Sequence, residues 1–165
     1  MKLKINEIFY SLQGEGARAG EPSIFIRLQG CSAENACKNS GIECDTEFNS
    51  GSEWSLQKIK KHIKKYNCSW IVWTGGEPLD QLTEQIINYF KPYKQALETS
   101  GIHKIPNNLD WVVLSPKVKE TIILKKNNLT SKQNTHCDEL RYLIKFGQKI
   151  PNTKILAKKY YISPH

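Results

Sequence analysis

No stretch of this chain approaches the roughly 18 consecutive apolar residues that a membrane-crossing helix needs. The opening Met1-Lys2-Leu3-Lys4-Ile5-Asn6-Glu7 has no leader-like apolar run, because Lys4 and Glu7 interrupt it. The expectation is a soluble, cytoplasmic protein that makes no membrane contact. Internal repeats, low-complexity tracts and linkers are also missing. That leaves one domain across residues 1–165, with 39% hydrophobic residues to fill a core. Arginine is scarce, since Arg18, Arg27 and Arg141 are only three of 24 basic residues. The net charge of +8 therefore comes mostly from lysines. Their densest run, Lys58 to Lys65, falls on a predicted helix whose apolar Leu56, Ile59, Ile63 and Tyr66 recur three and four apart. The lysines form its solvated face, which argues against direct nucleic-acid contact. Steering of an anionic substrate or an acidic redox partner is what such a face could still do.

Cysteine is present, in an odd number. With no export signal, the five cysteines do not suggest a disulfide framework, and Cys31, Cys37 and Cys44 fall within 14 residues. Clustered thiols of this kind read first as metal ligands, the plainer alternative being ordinary buried small side chains. Three thiolates can hold three irons of a four-iron cluster and leave the fourth open to an exogenous ligand. A closed zinc site would need a fourth ligand, for which His62 and Cys68 are the candidates. Cys68 and Cys137 otherwise read as structural residues.

The apolar pattern predicts strands at Ser23–Leu28, Ser69–Trp73, Gln95–Thr99, Trp111–Leu114, Leu140–Lys145 and Tyr160–Ile162. One helix starts behind a Ser55 cap, and a second runs through Leu79, Leu82, Ile86 and Phe90. Strands alternating with helices indicate βαβ units and a mostly parallel sheet, whose ligands bind beyond the C-terminal strand ends. Cys31 and Thr74-Gly75-Gly76-Glu77-Pro78 each fall just after such a strand. The paired glycines let backbone pass close to a ligand. Exposed carbonyls and the Glu77 carboxylate could then accept hydrogen bonds from an ammonium group. A bare strand-to-helix turn is the simpler reading of this element alone.

Several stretches together carry a family resemblance. They are Ile8-Phe9-Tyr10-Ser11-Leu12-Gln13-Gly14-Glu15-Gly16, Phe25-Ile26-Arg27-Leu28 with Gly30-Cys31, Cys44-Asp45-Thr46, Thr74 to Pro78, Glu98-Thr99-Ser100-Gly101, Ser115-Pro116-Lys117 and Asp138-Glu139-Leu140. In this order they resemble the 7-carboxy-7-deazaguanine synthases, radical S-adenosylmethionine enzymes of queuosine (7-deazapurine) biosynthesis. The resemblance implies an α/β fold, a partial, open (β/α)6-type barrel reduced in helices and truncated at the C-terminus. It implies a lyase-type ring contraction of 6-carboxy-5,6,7,8-tetrahydropterin to 7-carboxy-7-deazaguanine with release of ammonia. It also implies a [4Fe-4S] cluster on Cys31, Cys37 and Cys44, and Mg2+ at Thr46. S-adenosylmethionine would lie against Glu43, Asp45, Gly76, Ser115, Pro116 and Lys117. The pterin would lie among Leu12, Gln13, Gly14, Glu15, Arg27 and Thr74. A homodimer and a flavodoxin-like electron donor are further implications. Arg27 also has a physical argument of its own, because a guanidinium can grip a carboxylate with two parallel hydrogen bonds. The cysteine spacing, with five and then six intervening residues, is wider than the family's usual Cys-x-x-x-Cys-x-x-Cys, and Glu43 stands where an aromatic residue is common. A radical activase of a partner protein and a zinc-binding or degenerate family member are the competing readings.

Overall fold

The structure, a computed structural model, describes residues 1–41, 44–130 and 137–164. Its eight strands are β1 (Lys2–Leu12), β2 (Pro22–Leu28), β3 (Ser52–Ser55), β4 (Trp70–Gly75), β5 (Lys94–Thr99), β6 (Trp111–Leu114), β7 (Glu139–Ile144) and β8 (Lys159–Pro164). The described α-helices are α1 (Glu34–Asn39), α2 (Leu56–Ile63), α3 (Glu84–Tyr89) and α4 (Glu120–Asn127). All eight strands form one sheet in the order β3-β1-β2-β4-β5-β6-β7-β8. β1 is antiparallel to both of its neighbours, whereas β2, β4, β5, β6, β7 and β8 run parallel. The sheet has two free edges, so the barrel is open, as the sequence led us to expect. No helix among the described residues is long and apolar enough to cross a membrane.

The predicted strands all form. The predicted helix after Ser55 also forms, and the Ser55 hydroxyl accepts the Lys58 N–H at 3.1 Å. The helix expected through Leu79, Leu82, Ile86 and Phe90 breaks in two. A 3-10 turn covers Pro78–Asp80, and α3 begins only after Thr83, which is extended and caps Ile86 with its side chain. A β-branched hydroxyl residue is better placed at a cap than inside a helix. Four elements carry no legible pattern. In β1 the alternation of Lys2, Leu3, Lys4 and Ile5 is interrupted by a register shift between Ile5 and Glu7. β3 is only four residues long and α1 only six, and in α4 the adjacent Ile122, Ile123 and Leu124 give no helical period.

Side chains alternate across the strands and build two cores. The outward face, with Ile24, Ile26, Leu28, Ile71, Trp73, Leu97 and Leu114, packs on Leu56, Ile59, Ile63, Ile86, Ile87, Phe90 and Ile123 of the helices. The inward face holds Phe25, Val72 and Ala96, packed with Phe9, Trp70 and Trp111. The inward core forms an apolar floor inside the barrel, and on β2, β4 and β5 the next inward residues toward the C-terminal strand ends, Arg27, Thr74 and Glu98, are polar.

Candidate active site

The chain leaves β2 at Leu28 and turns at Gly30, whose φ of 91° suits glycine. The Gly30 N–H donates to the Phe48 carbonyl at 2.8 Å, and its carbonyl accepts the Glu77 N–H at 3.1 Å. Cys31 follows half-buried, Cys37 is buried on α1, and Cys44 is exposed; all three are free thiols. They line one cavity of about 330 Å³ at the C-terminal ends of the parallel strands. A short helix, α1, occupies the first widened gap and leaves Cys37 lining the same cavity as Cys31 and Cys44. Burial pushes the Cys31 thiol up to about 11, and an Ala33 backbone hydrogen bond opposes it only partly. Burial also raises Cys37, against the pull of the Lys117 ammonium. Both thiols keep their protons at neutral pH, so ligation of a metal would release protons. Among the described residues, no three His, Cys, Asp or Glu side chains form a group that could hold a single metal ion. The sequence's candidates for a fourth zinc ligand lie elsewhere. Cys68 precedes β4, at the opposite end of the strands, and contacts the Pro22 and Trp70 carbonyls. His62 packs edge-on against Trp54 and Tyr66.

The Gly-Gly-Glu-Pro turn closes β4 against the cysteine loop. A Cβ on Gly76 would stand 2.0 Å from the Gly30 carbonyl oxygen and 2.7 Å from Cys31 Cβ, so only glycine fits. Glu77 corrects the sequence reading. Its side chain is buried and accepts hydrogen bonds from Thr99 Oγ1 at 2.6 Å, the Ser100 N–H at 2.9 Å, the Ser100 hydroxyl, and the Leu79 N–H at 3.2 Å. This carboxylate staples β4 to β5 and has no capacity left for an ammonium ligand. Ser115 and Lys117 reach the cavity from the end of β6, with Lys117 Nζ 3.1 Å from Ser115 Oγ. Burial lowers the Lys117 pKa, and Cys37, Cys44, Asp45 and Glu15 oppose that shift. Asp45 and Thr46 also line the cavity, with the Thr46 hydroxyl donating to Asp45 at 3.3 Å. Pro116 lines a neighbouring cleft of about 560 Å³ instead. Glu43 lies outside the described residues.

Of the residues expected around a substrate, Glu15 and Thr74 line the cavity. Gln13 is buried just behind it, donating to Glu98 at 3.0 Å. Leu12 is exposed and, like Gly14, lies outside the lining. Arg27 pairs with Thr74 in the β2–β4 register, but its Nε donates to Glu7 at 2.7 Å. It opens onto an adjoining groove that shares Asp45 and Thr46 with the main cavity. Two residues that sequence reasoning left without a role complete the ring. Glu98 accepts from Thr74 Oγ1 at 3.0 Å as well as from Gln13. Arg141, on β7, places Nη1 2.8 Å from Glu15 and 3.8 Å from Glu98, and Nη2 3.2 Å from Glu139, while its buried Nε has no partner among the described residues. Glu98 belonged to a recognised stretch and could have been found there. Arg141 could have been found only as one of three arginines on an apolar strand. One motif departs from the strand-end pattern. Asp138-Glu139-Leu140 opens β7, and Asp138 accepts the Val112 N–H and the Lys158 ammonium, tying β6, β7 and β8 together.

An open, largely parallel barrel with three thiols, a glycine-pinned turn and a Ser-x-Lys strand end around one cavity has the architecture of a radical S-adenosylmethionine enzyme. The chain is 37% identical to a 7-carboxy-7-deazaguanine synthase of Bacteroides thetaiotaomicron, over 99% of this chain and 82% of that protein. It is 32% identical to the synthase of Haemophilus influenzae, over 97% of this chain and 74% of the relative. The crystal structure of QueE from Escherichia coli superposes with a TM-score of 0.65 at 26% identity, covering 87% of this chain and 71% of that one. No family model matches the sequence. The chain belongs to the 7-carboxy-7-deazaguanine synthase family.

Proposed function

We propose that this chain, as one catalytic domain, contracts 6-carboxy-5,6,7,8-tetrahydropterin to 7-carboxy-7-deazaguanine, the product named in its relatives, with loss of ammonia. The observation that carries this reading is the meeting of Cys31, Cys37 and Cys44 with Gly76, Ser115 and Lys117 on one cavity that Glu15, Thr74, Glu98 and Arg141 also line. Thiols spread around a cavity wall suit a multi-iron cluster, in which each thiolate takes its own iron. A [4Fe-4S] cluster and S-adenosylmethionine, when bound, supply the one-electron, hydrogen-abstracting chemistry.

The chain's own groups bind, orient and exclude water. Cys31, Cys37 and Cys44 would hold the cluster, with Gly76 giving the cosubstrate backbone access beside it. Ser115 and Lys117, flanking Pro116, would hold the polar end of S-adenosylmethionine, with Asp45 and Glu43 alongside. Glu15, Glu98, Thr74 and Gln13 would take the pterin's N–H edge, because carboxylates are strong acceptors for such donors. Arg27, released from Glu7, would meet the substrate carboxylate, and Thr46 would add a hydroxyl ligand to Mg2+. Leu12 and Gly14 would complete the pocket only if the loop after β1 moves inward. A homodimer, a flavodoxin-like reductant and a cytoplasmic setting belong to the same reading.

Anaerobic reconstitution followed by iron and sulfide analysis tests the cluster, and turnover with tetrahydropterin, S-adenosylmethionine and a chemical reductant tests the reaction. Cys31→Ala and Cys44→Ala should each abolish cluster assembly. Zinc in place of iron, or iron with no deazaguanine product, would overturn the proposal.

A further inference from the structure

One polar cluster beside the cavity has no part in the reading above. Ser32, directly after Cys31, gives its N–H to Asp80 Oδ2 at 2.8 Å and its hydroxyl to Asp80 Oδ1 at 2.6 Å. His103 Nε2 lies 2.7 Å from the same Oδ1 and 3.0 Å from Ser32 Oγ. The residue types are those of a hydrolytic triad, but the geometry is not. In a triad the imidazole stands between serine and carboxylate and uses a different nitrogen for each. Here a single nitrogen meets both, and the carboxylate also binds the serine directly, so no proton can be relayed. The arrangement is a clamp.

We propose that Ser32, Asp80 and His103 form a latch that holds Cys31 in ligating position, with Asp80 and His103 acting as positioning residues for the cluster. The inference rests on the cluster reading under Proposed function. Cys31 is held on its N-terminal side by the Gly30 hydrogen bonds to Phe48 and Glu77. On its C-terminal side the chain enters the long segment toward Cys44, where Asp80 takes the first N–H. His103 connects that carboxylate to a second anchored point. Its carbonyl accepts Asn127 Nδ2 at 3.1 Å, and Asn127 also binds the Gly101 carbonyl and the Ile105 N–H. The latch therefore runs from α4 through the loop between β5 and β6 to the residue after Cys31. Groups that orient a metal ligand typically change metal affinity or activity about 10–100-fold when removed. A carboxylate near a cluster also disfavours adding an electron to it, because cluster potentials follow local charge and hydrogen bonding.

The test uses the reconstituted protein. His103→Ala should release iron to a chelator roughly tenfold faster than the parent, and His103→Gln, which keeps a donor at that position, should recover most of the loss. Asp80→Asn should raise the cluster's midpoint potential, read by electron paramagnetic resonance during a redox titration. Unchanged iron release in His103→Ala together with an unchanged potential in Asp80→Asn would overturn the latch. So would a lowered melting temperature of the cluster-free variants with cluster properties intact, since that marks a role in folding alone. Amide exchange in the cluster-free protein separates this inference from the one it rests on. The Ser32 N–H should be protected in the parent and deprotected in Asp80→Asn and His103→Ala. Free exchange in the parent removes the latch whether or not a cluster assembles. Failure of the parent to take up iron, with Ser32 still protected, removes the cluster and with it the positioning role.

Discussion

The barrel interior has two levels built by the same strands, and they differ in almost every physical respect. The floor consists of Phe25, Val72 and Ala96 with Phe9, Trp70 and Trp111, and the Phe9 and Phe25 rings stack at 5.0 Å. The level above it holds Thr74, Glu98, Glu139 and Arg141, with Glu15 reaching in from the loop after β1. On β2, β4 and β5 the two levels are one pleat apart, Phe25 below Arg27, Val72 below Thr74 and Ala96 below Glu98, so inward side chains change from apolar to polar or charged within two residues. The floor contributes stability by burial. The upper level is costly to build, because three carboxylates around one guanidinium are tolerable only while their hydrogen bonds hold. A ring with surplus negative charge above an apolar base is suited to receive a ligand rich in N–H donors.

Removing the guanidinium should have the largest effect. Arg141→Met leaves the Glu139 side chain, 1% exposed, without its cation, and should cost about 3–5 kcal/mol of stability. It should also weaken pterin binding, because Glu15 loses the contact that aims it into the cavity. Arg141→Lys keeps the charge without the fork and should recover stability more than binding. Denaturant titration beside substrate binding decides this. Equal recovery of both would mean that charge alone, not geometry, sets the ring. The floor is tested by Phe25→Ala, at a cost of about 3 kcal/mol, with KM for the pterin moving little. A KM shift as large as that of Arg141→Met would show that the two levels are not separable. Gly76→Ala should cost about 1–3 kcal/mol, because the new methyl must displace the Gly30 carbonyl. Iron content should fall with it, since the same displacement moves Cys31. Full iron retention would show that this turn yields more easily than its contacts imply.

The floor and the ring were not equally legible in the sequence. Short apolar strands alternating with helices announced the parallel sheet, and the three cysteines and paired glycines announced the cavity, because each has a local pattern tied to its chemistry. Arg141 announced nothing, since Glu15 and Glu98 come from separate segments that reach it only in the folded sheet, and Glu139, two residues before it, carries no signal alone. Glu77 misled for a related reason. A carboxylate beside two glycines resembles a ligand group until Thr99 and Ser100 are seen to occupy it. Ser32, Asp80 and His103 stand 48 and 23 residues apart in sequence and carry no spacing signature. The lysines of α2 were legible as a solvated face. Because α2 follows β3 and leads back to the start of β4, the helix runs away from the cavity, so its charge does not crowd the site.

The smallest expected effect comes from the residue next to Arg141. Tyr142 points the other way from β7, packs against the outer core, and gives its hydroxyl to Glu120. Burial, reinforced by that carboxylate, pushes its phenol up to about 12. For a phenol whose folded value lies above the unfolded one of about 10, the stabilisation is complete below about pH 10. It is then lost as pH rises through about 12. Burial raises Glu120, but hydrogen bonds from Thr153, Tyr142 and Lys154 outweigh it and leave the group lowered. Its contribution is therefore present above the ordinary carboxylate range and is lost in acid. Tyr142→Phe should cost about 1 kcal/mol at neutral pH, flatten the alkaline limb of the stability profile, and leave pterin binding and iron content unchanged. Two adjacent residues on one strand would then divide cleanly, Tyr142 into stability and Arg141 into the site. A binding defect in Tyr142→Phe comparable to that of Arg141→Met would mean that β7 moves as a unit, and the side-chain alternation that separates floor, ring and outer face would not separate their functions.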